Sequence, residues 1–234
     1  WRLKPNEYVA SLISSEEPGT LAQQLREWNL IERLTAYADP DFYGSDGVFR
    51  INIDLTERGL RERDRVVGAV FSYLELLRNE GVSERRYEEL KVLEERNFHV
   101  REVPHPLQLA ADLSYTLFRV PPQYVMSADA RFEGFDAEEI QQVLAQLVPD
   151  NLRLWHVSQH EPTTQDVPYH AGTFGVAPIT AEDLKRWQHL AAELTFVLPE
   201  ENKFAATHDI ANVVPTLEEM TLVVDEPGAE AVEQ

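Results

Sequence analysis

Residues 46–80 restrict the fold more than any other stretch, because SDGVFRINIDL runs straight into a long amphipathic segment. Val48, Phe49, Ile51, Ile53 and Leu55 alternate with Arg50, Asn52 and Asp54. That period of two marks a strand with one apolar and one polar face. Beyond Thr56, Leu60, Val67, Val70, Phe71, Leu74 and Leu77 share one stripe at helical spacing, with Arg61, Glu62, Arg65, Glu75 and Arg78 opposite. Thr56 suits the N-cap, where a hydroxyl accepts from an orphan amide of the first turn. Gly81 stands where a left-handed C-cap is wanted. A greasy strand face and a greasy helix stripe bury each other, so the stretch predicts a two-layer unit of sheet and helices.

The flanking segments extend this pattern. Residues 5–29 read as helical on either side of a corner at EEPG, 16–19, where Pro18 and Gly19 are the breakers. IERLTAYA, 31–38, reads as a strand that pairs with 48–55 as an antiparallel hairpin across the turn-rich residues 39–47. Ser83 caps a second long helix with Tyr87, Leu90, Leu93 and Phe98 on its buried side, stopped by Pro104 and Pro106. A helix near 107–117 uses Leu109, Leu113 and Leu117. Asp136 with Glu139 opens another at 137–147 as a capping box, closed by Pro149. NLRLWHVS, 151–158, alternates as a strand. Residues 159–178 read as a loop, Thr180 with Asp183 caps a helix at 181–193, and 194–220 reads as irregular. TLVVD, 221–225, is a short strand candidate before an acidic, frayed tail at 226–234. The count predicts an α+β fold, with helices on one face of a mostly antiparallel sheet.

Composition narrows the partners. The 234 residues carry a formal charge of −20, which repels phosphate backbones and anionic lipid heads and so disfavours nucleic acid and membrane surfaces. No apolar run approaches the roughly 20 residues of a membrane span. There is no cysteine, so disulfides and thiolate chemistry are excluded. The chain starts at Trp1 without an initiator Met and reads as part of a longer sequence.

The chemical motifs are sparse. Neither H-E-x-x-H nor H-x-x-E-H occurs. The nearest approach is His99, Glu102 and His105, but Pro104 breaks a helix between the two imidazoles. His156 and His160 lie four apart at the end of a predicted strand, where that spacing covers about 13 Å, too far for one ion. No serine sits in a G-x-S-x-G context, and the ten glycines form no phosphate cradle. Trp28, Trp155 and Trp187 fall on apolar stripes and read as core. What remains is backbone recognition: strand 31–38, if it lies at a sheet edge, can accept an extended peptide as an added strand.

Three segments together resemble the pitrilysin/insulinase family of zinc metallopeptidases: EYVASLISSEEPGTLAQQLRE, INIDLTERGLRERDRVVGAVFSYLELLRNEG, and the run from LVPDNLRLWHVS through the tryptophan helix to LPEENKF. SDGVFRINIDLTERGL, VFSYLELLR and FRVP are similar to its bacterial periplasmic members. The resemblance implies a mitochondrial-processing-peptidase-like metallohydrolase domain fold. It places residues 1–225 as a single non-catalytic domain, the family's second, shortened at its first strand. The parent would be a zinc metalloendopeptidase holding its zinc and H-x-x-E-H motif in another domain. This fragment would hold no zinc and cleave nothing.

The implied partners are peptide substrates and other domains of the same polypeptide, in a periplasmic setting with the cytoplasm as the alternative. The domain would form part of the wall of a peptide-degrading chamber. By position, the family's substrate-holding edge corresponds to Leu34, Thr35, Ala36 and Tyr37, flanked by the turn at Ser15, Glu16, Pro18 and Gly19. Ala36 and Tyr37 stand where insulinase-like members have glycine. Two alternatives stay open beside this reading: a non-catalytic assembly module of the same fold, and a maturation peptidase for one dedicated peptide.

Overall fold

The computed structural model describes residues 1–39, 47–102 and 104–200. The strand expected at 221–225 and the tail at 226–234 lie outside the described residues. The contacts group the chain into two compact units, one containing Trp1–Tyr8 and Ser83–Glu139, the other Val9–Val82 and Ile140–Pro199.

In the larger unit the predicted hairpin forms. Strand β1 (Ile31–Asp39) pairs antiparallel with β2 (Val48–Leu55), with Leu34 opposite Ile53, Ala36 opposite Ile51 and Tyr37 opposite Arg50. The register shifts between Ile31 and Arg33. The alternation read from the sequence holds in burial from Ile51 to Leu55, while Arg50, expected on the polar face, is half-buried like Val48 and Phe49. Leu34 is buried and Phe49, Ile51 and Ile53 are half-buried, whereas Arg33, Thr35, Tyr37, Asn52 and Asp54 are exposed.

Helix α1 (Pro5–Ile13) and helix α2 (Leu21–Glu27) flank the predicted corner. Helix α3 (Glu57–Arg61) then begins where expected, with the Thr56 hydroxyl accepting from the Gly59 amide at 3.0 Å. The same threonine ties the hairpin to the end of α2. Its N–H donates to the Leu30 carbonyl at 3.1 Å and its hydroxyl donates to the Asn29 carbonyl at 2.7 Å. Gly59 presses against that Leu30 carbonyl, where a Cβ would come within 1.8 Å of the oxygen.

The single long helix expected from Thr56 is instead two. α3 stops at Glu62, whose φ of −104° and ψ of 27° break the helical path, and α4 (Arg63–Glu80) continues. The break rotates the buried stripe onto Val66, Ala69, Tyr73, Leu74 and Leu77, leaving Val67, Val70 and Phe71 half-buried. The Tyr73 hydroxyl donates to the Leu12 carbonyl at 3.1 Å, which satisfies an orphan acceptor at the end of α1. Gly81 is a second correction. It is right-handed, with φ −76° and ψ −19°, and its N–H donates to Leu77 at 2.8 Å. Glycine is needed there for space, since a Cβ would meet the Leu77 carbonyl at 2.5 Å.

Helix α8 (Ala181–Ala192) packs on α4. Trp187 is buried, stacks on Phe71 at 6.5 Å, and donates from Nε1 to Asp64 at 2.8 Å. Arg186 holds the other Asp64 oxygen at 2.9 Å and also pairs with Asp183. The capping box predicted at Thr180 and Asp183 is complete. Hydrogen bonds from the Thr180 hydroxyl and amide, reinforced by Arg186, hold the Asp183 carboxyl down at about 2, against an ordinary 3.8.

The smaller unit is organised by Tyr87 on helix α5 (Glu84–Val100), capped by Ser83 as predicted. Tyr87 is wholly buried, meets Phe132 and Phe135 edge-on, and donates to the Leu3 carbonyl at 2.9 Å. Burial pushes its phenol up to about 12. The Tyr8 hydroxyl accepts from the Ser83 amide at 3.1 Å. Helix α6 (Pro106–Thr116) buries no side chain fully: of the stripe expected through Leu109, Leu113 and Leu117, the first two are half-buried and Leu117 is exposed. Helix α7 (Ala137–Gln146) starts with Asp136 accepting from the Glu138 and Glu139 amides.

Two more sequence expectations fail in the larger unit. Residues 152–158 form no strand, and Trp155, expected in the core, is 85% exposed. An alternating segment becomes a strand only when another backbone meets its edge, and none of the described segments does. Residues 159–178 are not wholly loop, because strands β3 (Gln165–Asp166) and β4 (Thr173–Phe174) form a small hairpin within them.

Two outcomes follow from this packing. Gly59→Ala drives a methyl into the Leu30 carbonyl and lowers stability by more than about 2 kcal/mol, read as a drop in the urea midpoint at unchanged slope. The Asp183 carboxyl, depressed in the folded state, contributes fully above about pH 3.8 and loses that contribution as pH falls towards about 2. An NMR titration of the Asp183 carboxyl carbon gives its midpoint near 2 in the native chain, and Thr180→Ala moves it up towards the ordinary aspartate range.

Candidate functional site: the outer edge of the hairpin

The residues singled out from the sequence are Leu34, Thr35, Ala36 and Tyr37 on β1 and Pro18 and Gly19 in the preceding turn. All lie in the larger unit. β1 and β2 make a two-stranded sheet, so the side of β1 away from β2 is an edge among the described residues.

The backbone directions on that edge can be assigned. The Ala36 N–H donates to the Ser14 hydroxyl at 2.8 Å, so it points away from β2. Alternation then turns Leu34 and Ala38 outward as well, while Arg33, Thr35 and Tyr37 bond inward to β2. The outward groups of this edge are therefore those of Leu34, Ala36 and Ala38, with Ser14 seated on the central donor. Tyr37 is 45% exposed and shares its face with Thr35 and Arg33. As a strand side chain it projects from the face of the sheet and not along the in-plane edge.

The turn is built tightly. Gly19 has φ +83°, a left-handed value that favours glycine. Its N–H donates to Gln23 Oε1 at 2.8 Å and its carbonyl accepts from the Val197 amide at 3.0 Å. The buried Thr20 hydroxyl bridges the Ser15 and Glu17 carbonyls, at 2.7 Å each. Glu16 takes a two-pronged hydrogen bond from Arg26, which lowers its carboxyl from the usual range. The structure thus brings the turn and the strand together through Ser14, one residue before the turn. Ser14 was missed in the sequence because a lone serine at a helix end carries no periodic signal.

The other candidates are accounted for. His99 lies near the end of α5, and His105 caps α6, its Nδ1 accepting from the Leu107 amide at 3.3 Å. The two stand on separate elements. The His156 Nδ1 meets Glu161 at 2.8 Å, and Arg63 reaches the same carboxylate at 3.0 Å. Among the described residues no three His, Asp or Glu side chains converge as a metal-holding group. A groove of about 390 Å³ beside Phe71, Glu75, Arg78, Leu184 and Trp187 presents one carboxylate and one guanidinium over an aromatic wall. It contains no nucleophile paired with a base.

Two family models match the sequence, the "peptidase M16 inactive domain" over residues 1–92 and the "middle or third domain of peptidase M16" over residues 98–228. Protease 3 of Escherichia coli strain K12 is 33% identical over 204 residues, which are 87% of this chain and 21% of that protein. Insulin-degrading enzyme of Homo sapiens is 28% identical over 212 residues, 89% of this chain and 20% of that one. The crystal structure of pitrilysin superposes with a TM-score of 0.83 at 33% identity, covering 86% of this chain and 21% of the other. The chain therefore spans about a fifth of the length of these relatives.

The site yields one direct expectation. Ser14→Ala removes the acceptor of the Ala36 amide, which then exchanges its hydrogen faster by about tenfold, the worth of one partly buried hydrogen bond. Amide exchange followed by NMR or mass spectrometry reads this at a single residue.

Proposed function

The chain belongs to the M16 peptidase family, and from that membership we propose that it is a non-catalytic part of a zinc metalloendopeptidase that lines a peptide-degrading chamber and helps position the substrate. The match to a domain described as inactive supports a supporting role for residues 1–92. The orientation of the β1 edge carries the positioning role, since it presents the Leu34, Ala36 and Ala38 backbone groups to an extended peptide. Holding one end of a peptide raises the effective concentration of its scissile bond at a distant centre.

Zinc belongs to the parent's chemistry. The described residues offer no ligand set that fits the ion, so no catalytic step is assigned to them. We take residues 1–225 as one structural piece of the parent. The junction between the two family models falls at residues 92–98, inside the continuous helix α5, whereas independent domains are joined by exposed linkers. The parent's compartment in this reading is the periplasm, by likeness to the bacterial members, and its partners are peptides and the other domains of the same polypeptide.

The test uses the full-length parent loaded with zinc and a fluorogenic peptide. Ala38→Pro deletes an outward N–H without touching a β1–β2 hydrogen bond, because proline is tolerated on the open side of an edge strand. KM for peptides long enough to reach the edge rises about three- to tenfold while kcat holds, and short peptides are unaffected. Equal KM values for native and variant enzyme remove the positioning role. A zinc-loaded parent that hydrolyses no peptide returns the chain to the class of assembly modules.

A further inference from the structure

Of the three outward N–H groups on β1, the central one is already engaged. The Ala36 amide donates to the Ser14 hydroxyl at 2.8 Å, whereas the Leu34 and Ala38 amides bond to no other described group. Ser14 stands one residue beyond α1 and is half-buried. Its backbone is fixed on both sides. Its own N–H donates to the Ala10 carbonyl at 3.0 Å, and the next carbonyl, of Ser15, accepts from the buried Thr20 hydroxyl at 2.7 Å. Rotation about χ1, between staggered positions, is then what moves the hydroxyl.

That rotation has a second partner to reach. A serine at the end of a helix can donate to the carbonyl four residues back, which for Ser14 is Ala10. A carbonyl oxygen has two lone pairs, so the Ser14 amide and hydroxyl can share it. The hydroxyl can therefore leave the Ala36 amide without being stranded. Backbone that pairs at Ala36 displaces it at the cost of about one hydrogen bond, whereas pairing at Leu34 and Ala38 displaces nothing among the described residues.

We propose that Ser14 is the specificity-determining residue of this edge, a displaceable stopper that sets the shortest peptide the edge holds. The proposal rests on the positioning role given to β1 above. A peptide that reaches only Ala36 exchanges one bond for another and gains nothing from the edge. One extended over Leu34–Ala38 makes the same exchange and adds bonds at both flanking residues, each worth about three- to tenfold in binding. The ligands selected are extended peptides without a required side chain, since every contact is to backbone.

The full-length parent, loaded with zinc, is assayed with a nested set of fluorogenic peptides that share one scissile sequence and are lengthened residue by residue on either side. In the native enzyme KM falls only once a peptide covers Leu34–Ala38. Ser14→Ala lowers KM about three- to tenfold for every peptide that reaches Ala36, moves the threshold to shorter peptides, and leaves kcat as it was. Ser14→Gly also lacks the hydroxyl and gives the same profile, so the reading does not depend on one variant folding. Ser14→Thr keeps the hydroxyl and restores the native profile. A KM that stays or rises at every length in the hydroxyl-free variants overturns the proposal. Ala38→Pro, measured beside them, separates this failure from that of the positioning role: a higher KM there with no effect at Ser14 sinks only the stopper, and no effect in either removes the edge as a peptide site.

Discussion

The Leu30 carbonyl is the point on which the larger unit depends. It ends the helix–turn segment that precedes β1, accepts the Thr56 amide that follows β2, and lies against the bare Cα of Gly59. Both ends of the hairpin are thereby fixed at one place, together with the start of α3. The Arg58 guanidinium adds a bond to the Trp28 carbonyl at 3.0 Å, and Asn29 takes the left-handed φ of 55° that lets the chain turn there. Slippage of β1 against β2 by one residue would put Leu34 on the wet face and break this junction at once. Register is therefore specified twice, by hydrophobic alternation and by the pinned turn.

From that junction the order of construction is readable. β2 delivers the chain to α3, the break at Glu62 redirects it, and α4 offers Gly68 to α8, where a Cβ would meet the Trp187 carbonyl at 3.0 Å. Small residues let two helices approach, and the space they leave is used by Trp187. The indole stacks on Phe71 while its N–H finds Asp64. A buried indole nitrogen without a partner would be costly, so Asp64, with Arg186 on its other oxygen, is part of the packing and not a free acid. Asp64 and Arg186 thus serve the packing of α8 on α4.

Features fixed by local chemistry were legible in the sequence. The hairpin, the caps at Thr56, Ser83 and Thr180, and the corner at Pro18 and Gly19 each depend on residues within a few positions of one another. Features that depend on distant partners were not. The buried stripe of α4 was partly misplaced: Leu74 and Leu77 are buried as expected, but the break at Glu62 turns the helix so that Val67, Val70 and Phe71 are half-buried. The left-handed cap at Gly81 was wrong because glycine there answers a steric need. Trp155 was assigned to the core because alternation reports what a strand can do once paired, and says nothing about whether its partner is present. At the candidate site, the strand and turn were found from pattern and family resemblance. The Ser14 bond that joins them follows only from the way α1 ends beside β1.

That bond bears on how an open edge is kept from pairing wrongly. An edge strand with free N–H and C=O groups invites any extended chain, and proteins blunt such edges with charge, proline or a covering element. Here, among the described residues, the covering is a single hydroxyl placed on the central donor, with Leu34 and Ala38 on either side. A serine hydroxyl can accept from Ala36 and can turn to another partner when displaced, at the cost of about one hydrogen bond. A peptide that forms only one bond to the edge gains nothing over the resident serine. One that spans Leu34 to Ala38 replaces that bond and adds others. On the positioning role proposed above, the edge discriminates by length, favouring extended chains that pair along several residues, and it does so without reading any side chain.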